Sequence, residues 1–266
     1  MKRVLAAALM LATGGCGAGA DETAGLPRGS YAAPALGGAR ISYLRGGTAG
    51  GRLVVFVHGT PGDAAGWAGF LARAPAGFDY VAIDRPGFGA SGPDGAVTSL
   101  ERQALALAPL LAGAPAPVIL VGHSYGGPVI VAAAAHWPDR VAGLVILAGA
   151  LDPGLEKIHP LQRAGEWPGV RDLLPRALRN ANRELIALKP ELERLAPRLQ
   201  TIRAPVTIIH GTADAQVPVA NVGFMRPRFA ASRALRTIVL RDQTHFLPWQ
   251  HQPLIERAIA AIAAAT

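Results

Sequence analysis

Apolar and polar positions along this chain follow two rhythms. Short unbroken apolar runs recur at Leu53-Val54-Val55-Phe56-Val57, Tyr80-Val81-Ala82-Ile83, Val118-Ile119-Leu120-Val121, Val141 to Ala148, Val206-Thr207-Ile208-Ile209 and Thr237-Ile238-Val239-Leu240. Short runs rich in β-branched residues suit buried strands of a parallel sheet. Arg40-Ile41-Ser42-Tyr43-Leu44 alternates instead and predicts an edge strand. Between the runs lie stretches of helical character: Trp67 to Arg73, Leu100 to Ala112, Pro128 to Ala135 and Leu254 to Ala264. Trp137-Pro138 ends the third, because proline disfavours helix in the residue before it. Apolar strands alternating with helices predict an α/β fold, a mostly parallel β-sheet flanked by helices.

The rhythm breaks once, between Leu151 and Ala204. That interval has no strand-like run but carries helical stretches at Asp172 to Asn180 and Glu184 to Arg198, the second interrupted by Pro190. A structureless loop of that length is uncommon in a compact domain. A small helical cap inserted between two strands, over the carboxyl ends of the sheet, is expected instead. The implied division is residues 1–20 as signal segment and tether, 30–150 as the first part of the core, 151–204 as the cap and 205–266 as the second part. Cys16 to about Gly38 is rich in glycine, alanine and proline and reads as a tether with an irregular start.

Composition narrows the class. The 266 residues are half hydrophobic with few aromatics, enough for one large domain with an aliphatic core. The formal charge is +8, or +6 once Lys2 and Arg3 are removed with a signal segment. Basic residues are interspersed with acids, and the densest stretch, Arg226 to Arg241, lacks the aromatic interleaving of a nucleic-acid surface. No nucleic-acid partner is expected. Met1-Lys2-Arg3 followed by Val4 to Ala12 reads as the charged and apolar regions of an export signal. Leu11-Ala12-Thr13-Gly14-Gly15-Cys16 resembles a bacterial lipoprotein signal, with Thr13 departing from its usual aliphatic residue; Ala18-Gly19-Ala20 is a rival cleavage site. Either implies export, and lipidation of Cys16 implies membrane anchoring. Cys16 is the only cysteine, so no intramolecular disulfide can form.

The chemistry concentrates after strands, where sites of open α/β sheets lie. Gly122-His123-Ser124-Tyr125-Gly126-Gly127 sits between a strand and a helix, the setting of a nucleophile elbow. His210-Gly211-Thr212-Ala213-Asp214 follows the Val206 strand, and Asp242-Gln243-Thr244-His245-Phe246 follows the Thr237 strand. Ser124, Asp214 and His245 thus stand in the order serine, acid, histidine. Serine needs a base to take its proton, imidazole titrates near neutrality, and a carboxylate can hold the imidazole tautomer. Asp152, after the Val141 strand, is the rival acid. His58, His123, His136, His159, His210 and His251 show no metal-ligand spacing, and neither metal nor cofactor is expected. Gly87-Phe88-Gly89-Ala90-Ser91-Gly92 matches a dinucleotide pattern but leads into a polar loop rather than a helix, so no nucleotide site is expected.

With His58-Gly59-Thr60-Pro61-Gly62 and Asp84-Arg85-Pro86-Gly87-Phe88-Gly89-Ala90-Ser91, these motifs make the chain resemble the α/β-hydrolases from about Tyr43 onward. The family usually opens with two further strands, and only the one near Tyr43 is legible. The resemblance implies a capped serine hydrolase in which the backbone N–H groups of Thr60 and Tyr125 form the oxyanion hole. It implies cleavage of a small-molecule carboxylic ester through an acyl-enzyme. Aminopeptidase, carbon–carbon bond hydrolase, perhydrolase and acyltransferase chemistry share the motifs. A non-catalytic envelope binding protein of this fold would lack part of the machinery, and no part is missing. Leu161, Trp167, Leu173, Leu174, Leu178, Leu185 and Leu188 are expected to line an apolar pocket or to be core. Glu156, Glu166 and Glu184 are read as solvated, and would hold a substrate amine only in an aminopeptidase.

Overall fold

A computed structural model describes residues 23–266; the stretch read as a signal segment and Cys16 lie outside those residues. Eight strands form one sheet among the described residues: β1 (Arg28–Ala33), β2 (Ala39–Gly47), β3 (Arg52–Val57), β4 (Phe78–Ile83), β5 (Val118–His123), β6 (Val141–Leu147), β7 (Val206–Gly211) and β8 (Leu235–Leu240). Their order is β1-β2-β4-β3-β5-β6-β7-β8. β2 runs antiparallel to both β1 and β4, and every other pairing is parallel.

The apolar runs form strands because both sheet faces are covered. Alternate residues of each run then enter opposite cores. Val55, Val57, Leu120, Ile146 and Ile208 pack on one side with Val129, Ile130 and Ala133 of helix α4 (Gly126–His136). Val54, Phe56, Ile119, Val121 and Ile209 pack on the other with Ile255, Ile259 and Ile262 of the C-terminal helix α10 (Gln252–Ala265). Helices α1 (Ala68–Ala72), α2 (Leu100–Leu105), α3 (Ala108–Gly113), α8 (Ala220–Arg228) and α9 (Leu247–Gln250) complete the layers. Between β6 and β7 the chain forms α5 (Pro160–Ala164), α6 (Pro168–Arg171) and α7 (Arg176–Leu195).

The strand expected at the sheet edge, β2, is paired on both sides, by β1 and β4, and two further expectations are corrected. The stretch read as tether and irregular start contains β1, so two strands precede β3. Its small residues hide the alternation, and its pairing is supplied by β2 in the register Ser30 to Ser42. Its ends are tied by Arg28 to Ser42 Oγ and Asp84, both at 2.7 Å, and by the Tyr31 hydroxyl to the Ala106 carbonyl at 3.0 Å. Second, Pro190 does not interrupt α7. Proline removes one helical N–H and crowds the preceding turn. Leu188, Leu192 and Leu195 on both sides of it are buried against the main core and hold the helix through the defect.

Candidate active site

Ser124 lies at the turn from β5 into α4 with φ of 54°, a left-handed conformation that costs a non-glycine residue about 1–3 kcal/mol. Its backbone is pinned there. Its N–H donates to the Leu147 carbonyl at 2.9 Å, and its carbonyl accepts from Gly127 N–H at 2.9 Å. The flanking glycines are a steric requirement. A Cβ on Gly122 would run into the Gly126 carbonyl, and one on Gly126 into the Val57 carbonyl. The turn sets Tyr125 at the N-terminus of α4, where free N–H groups favour negative charge.

His245 follows β8 and Asp214 follows β7. His245 Nδ1 donates to Asp214 Oδ2 at 2.7 Å, with Asp214 fully buried. The other carboxylate oxygen accepts the Gln216 and Val217 N–H groups at 2.9 and 2.8 Å. Burial alone would raise the Asp214 pKa. The hydrogen bond and charge of His245, together with the two backbone donors, outweigh it and hold the carboxyl below its ordinary value. Asp152 makes no such contact. Its backbone N–H binds Asn221 Oδ1 and its side chain caps Gly154 N–H, each at 2.8 Å.

His123 lies beneath His245, ring centroids 4.6 Å apart, and its Nε2 donates to the His245 carbonyl at 2.9 Å. Burial and the neighbouring His245 lower its pKa to about 3, so it stays neutral and serves as a brace. His58 is likewise neutral: burial and the Arg85 charge push its pKa well down. Its Nε2 accepts from Arg85 N–H at 2.9 Å and its Nδ1 donates to the Gly59 carbonyl at 2.6 Å.

The 58–62 loop is also held from the cap. Glu184 on α7 is fully buried, which corrects the expectation that it is solvated. Its carboxylate accepts from Arg85 Nη1 at 2.7 Å and Nη2 at 3.0 Å, from Gln103 Nε2 at 2.7 Å and from the Thr60 hydroxyl at 2.6 Å. Arg85 meanwhile donates to the His58 and Gly59 carbonyls, both at 3.0 Å. No motif announced Glu184; its only signal was an acid on the apolar side of an amphipathic helix.

Ser124, Thr60 and Gln216 are shared by the linings of two recesses. One, of about 50 Å³, is bounded by Trp67, His123, His245, Phe246 and Trp249. The other, of about 170 Å³, is bounded by Tyr125, Ala150, Glu156, Leu185, Leu188 and Val217. Of the cap leucines expected at a pocket, Leu185 and Leu188 are there. Leu161, Trp167 and Leu173 are instead exposed and line neither recess. Glu156 is partly buried, and that burial with the nearby Asp152 charge raises its pKa to about 7. Glu166 is paired with Arg183 at 3.0 Å. Among the described residues lining the two recesses there is no lysine or arginine. No group of three or more histidine, cysteine or acidic side chains placed to hold a metal occurs among the described residues.

The profile of the "Alpha/beta hydrolase family" matches residues 54–264. A 2-hydroxy-6-oxononadienedioate/2-hydroxy-6-oxononatrienedioate hydrolase of Escherichia coli is 26% identical, over 76% of this chain and 83% of its own. The solved 2-hydroxy-6-oxo-6-phenylhexa-2,4-dienoate hydrolase from Rhodococcus sp. strain RHA1 superposes with a TM-score of 0.71 at 17% identity, covering 90% of this chain and 99% of that one. A putative lipase from Acinetobacter baumannii AYE superposes with a TM-score of 0.69 at 17% identity, covering 92% and 95%. At such identities the two structures attest the fold alone.

Proposed function

The chain belongs to the alpha/beta hydrolase family, and from that premise we propose that it is a serine hydrolase that cleaves uncharged, short-chain carboxylic esters. The observation that carries the proposal is the buried Asp214–His245 pair, 2.7 Å long, at a cavity it shares with the strained Ser124. Asp214 fixes the proton on Nδ1 of His245, which leaves Nε2 free to take the Ser124 proton as Oγ attacks the ester carbonyl. The developing oxyanion accepts from the backbone N–H groups of Thr60 and Tyr125; one such donor is typically worth about 3–4 kcal/mol of barrier. Imidazolium then protonates the leaving alcohol, and water repeats the sequence on the acyl-enzyme.

The recesses support the substrate class. An apolar cavity of roughly 150 Å³ holds a benzene-sized group, so the 170 Å³ recess suits an acyl chain of a few carbons. A second reading, carbon–carbon bond hydrolysis, is favoured by the E. coli relative, whose named substrate is a dioate. A dicarboxylate would find no cationic side chain in the described lining and would face Glu156. Such a substrate is disfavoured by desolvation without a partner.

The test is labelling of the purified protein by a fluorophosphonate, followed by hydrolysis of p-nitrophenyl acetate, butyrate and decanoate. Labelling that is lost in Ser124→Ala, with kcat down roughly 10⁶-fold and butyrate preferred over decanoate, is expected. An unlabelled folded protein, or faster turnover of 2-hydroxy-6-oxononadienedioate than of any ester, would overturn the reading.

A further inference from the structure

The outer layer of the cap contradicts the usual distribution of apolar side chains. Helices α5 and α6 contain no buried residue. Yet Leu161 is 54% exposed, Trp167 65% and Leu173 86%, with Ile158 and Val170 also exposed. Five of the eight large hydrophobic residues exposed among the described residues thus fall within residues 158–173. Polar contacts join this layer to α7. Asn182 Nδ2 donates to the Gln162 carbonyl at 2.9 Å and to Glu166 at 2.8 Å, and Arg183 binds Glu166 at 3.0 Å. Apolar surface concentrated in this way marks an interaction site.

The charges identify the partner. Glu166 is taken up by Arg183, and Asp172 by Arg171. Lys157 and Arg163 are exposed and enter no ion pair among the described residues. Over residues 157–173 the charge left unpaired is therefore positive; the acids Asp152 and Glu156 precede that stretch, and Glu156 lines the recess at Ser124. Leucine, isoleucine and tryptophan beside unpaired lysine and arginine are the composition of a segment that lies in a bilayer interface. A two-fold contact between copies would bury these cations on both sides and bring no acid of the same stretch free to pair with them. We propose that this face docks on an anionic phospholipid bilayer, with Trp167 and Leu173 at the headgroup–acyl boundary and Lys157 and Arg163 on the headgroups. The docking is interfacial, since no helix among the described residues is long and apolar enough to cross a membrane. Helix α7 contributes Leu185 and Leu188 to the recess at Ser124 and also holds the docking layer. Membrane contact would therefore set the cap, and with it the recess at Ser124, against the lipid surface.

The experiment uses the full chain carrying Cys16→Ser, so that no lipid on Cys16 contributes. It is sedimented with vesicles of phosphatidylglycerol and phosphatidylcholine in equal parts, and with phosphatidylcholine alone. Preferential binding to the anionic vesicles is expected, weakening with salt, with a blue shift in tryptophan emission that is absent in Trp167→Phe. Leu173→Asp and Trp167→Ala should each reduce partitioning, and the double change Trp167→Ala/Leu173→Ala by on the order of a hundredfold. Their thermal melts should be unchanged, because both side chains are exposed. The charge reversal Lys157→Glu/Arg163→Glu should abolish the preference for anionic vesicles. Three outcomes would overturn the proposal: no binding by the parent chain, binding by Leu173→Asp equal to the parent, or a dimer in light scattering that Leu173→Asp dissociates.

Discussion

Glu184 joins the cap to the loop that carries Thr60, and its removal has a calculable effect. Both Glu184 and Arg85 have fully buried side chains. In Glu184→Ala the Arg85 guanidinium becomes an uncompensated buried cation, and Gln103 and the Thr60 hydroxyl lose their shared acceptor. Breaking a buried pair from one side costs about 3–5 kcal/mol. At about 2–4 °C per kcal/mol for a domain of this size, Tm should fall by about 6–20 °C. Activity of the remaining folded protein should also fall, because the Thr60 N–H is no longer positioned from the cap and a misplacement of about 1 Å can cost about a hundredfold in rate.

The double variant Arg85→Met/Glu184→Leu separates the two effects. Apolar replacement of a buried pair is often neutral or stabilising by about 1–4 kcal/mol, so urea denaturation followed by circular dichroism should show most of the lost stability restored. Hydrolysis of p-nitrophenyl butyrate should not recover. The His58 and Gly59 carbonyls, which Arg85 holds at 3.0 Å, would lose that donor, and only His58 Nδ1 would remain on the Gly59 carbonyl. The reasoning is refuted if Glu184→Ala loses less than about 1 kcal/mol, the range of an exposed pair. It is also refuted if the double variant is as unstable as the single one.

Other outcomes follow from the same geometry. Asp214→Asn should lower kcat by about 10⁴-fold through the wrong imidazole tautomer, while Asp152→Asn, whose carboxylate caps only Gly154, should stay within about tenfold; steady-state kinetics on p-nitrophenyl butyrate rank the two, and the reverse ranking would move the acid to the end of β6. Glu156→Gln should stabilise the protein at pH 8. The folded-state pKa of Glu156 is raised to about 7, so the folded form holds the proton more tightly and loses stability as pH rises from the ordinary carboxylate range through 7. The gain, discounted for partial exposure, should be about 2 kcal/mol at pH 8 and mostly gone by pH 4.5; denaturant midpoints equal to the parent at both pH values would contradict it.

Strands β3 to β7 were legible because a strand buried on both faces must be apolar along its whole length, whatever surrounds it. The elbow was legible because its glycines meet backbone, not variable side chains. Ser124, Asp214 and His245 could be named from the order of strand ends, and Thr60 and Tyr125 from motif resemblance; the structure brings Asp214 into contact with His245 and places the other four around the paired recesses. β1 was missed because an edge strand of small residues takes its identity from its partner.

Glu184 was missed for a deeper reason. An amphipathic pattern defines two faces of a helix but not the partner at their seam. The acid that reads as solvated is buried because Arg85, 99 positions earlier, and Gln103, 81 positions earlier, converge on it. Leu161, Trp167 and Leu173 show the converse. Their spacing suits a core, yet the cap is too thin to cover an outer face once α7 has turned Leu185 and Leu188 toward Ser124. The same helix therefore accounts for both departures. Its buried charge holds the loop that carries Thr60 and its apolar side lines the recess at Ser124, while the apolar side chains of the layer above it stay exposed. Sequence periodicity reports how much apolar surface a segment has; only the assembled layers reveal which part of it faces the core, the substrate or the outside.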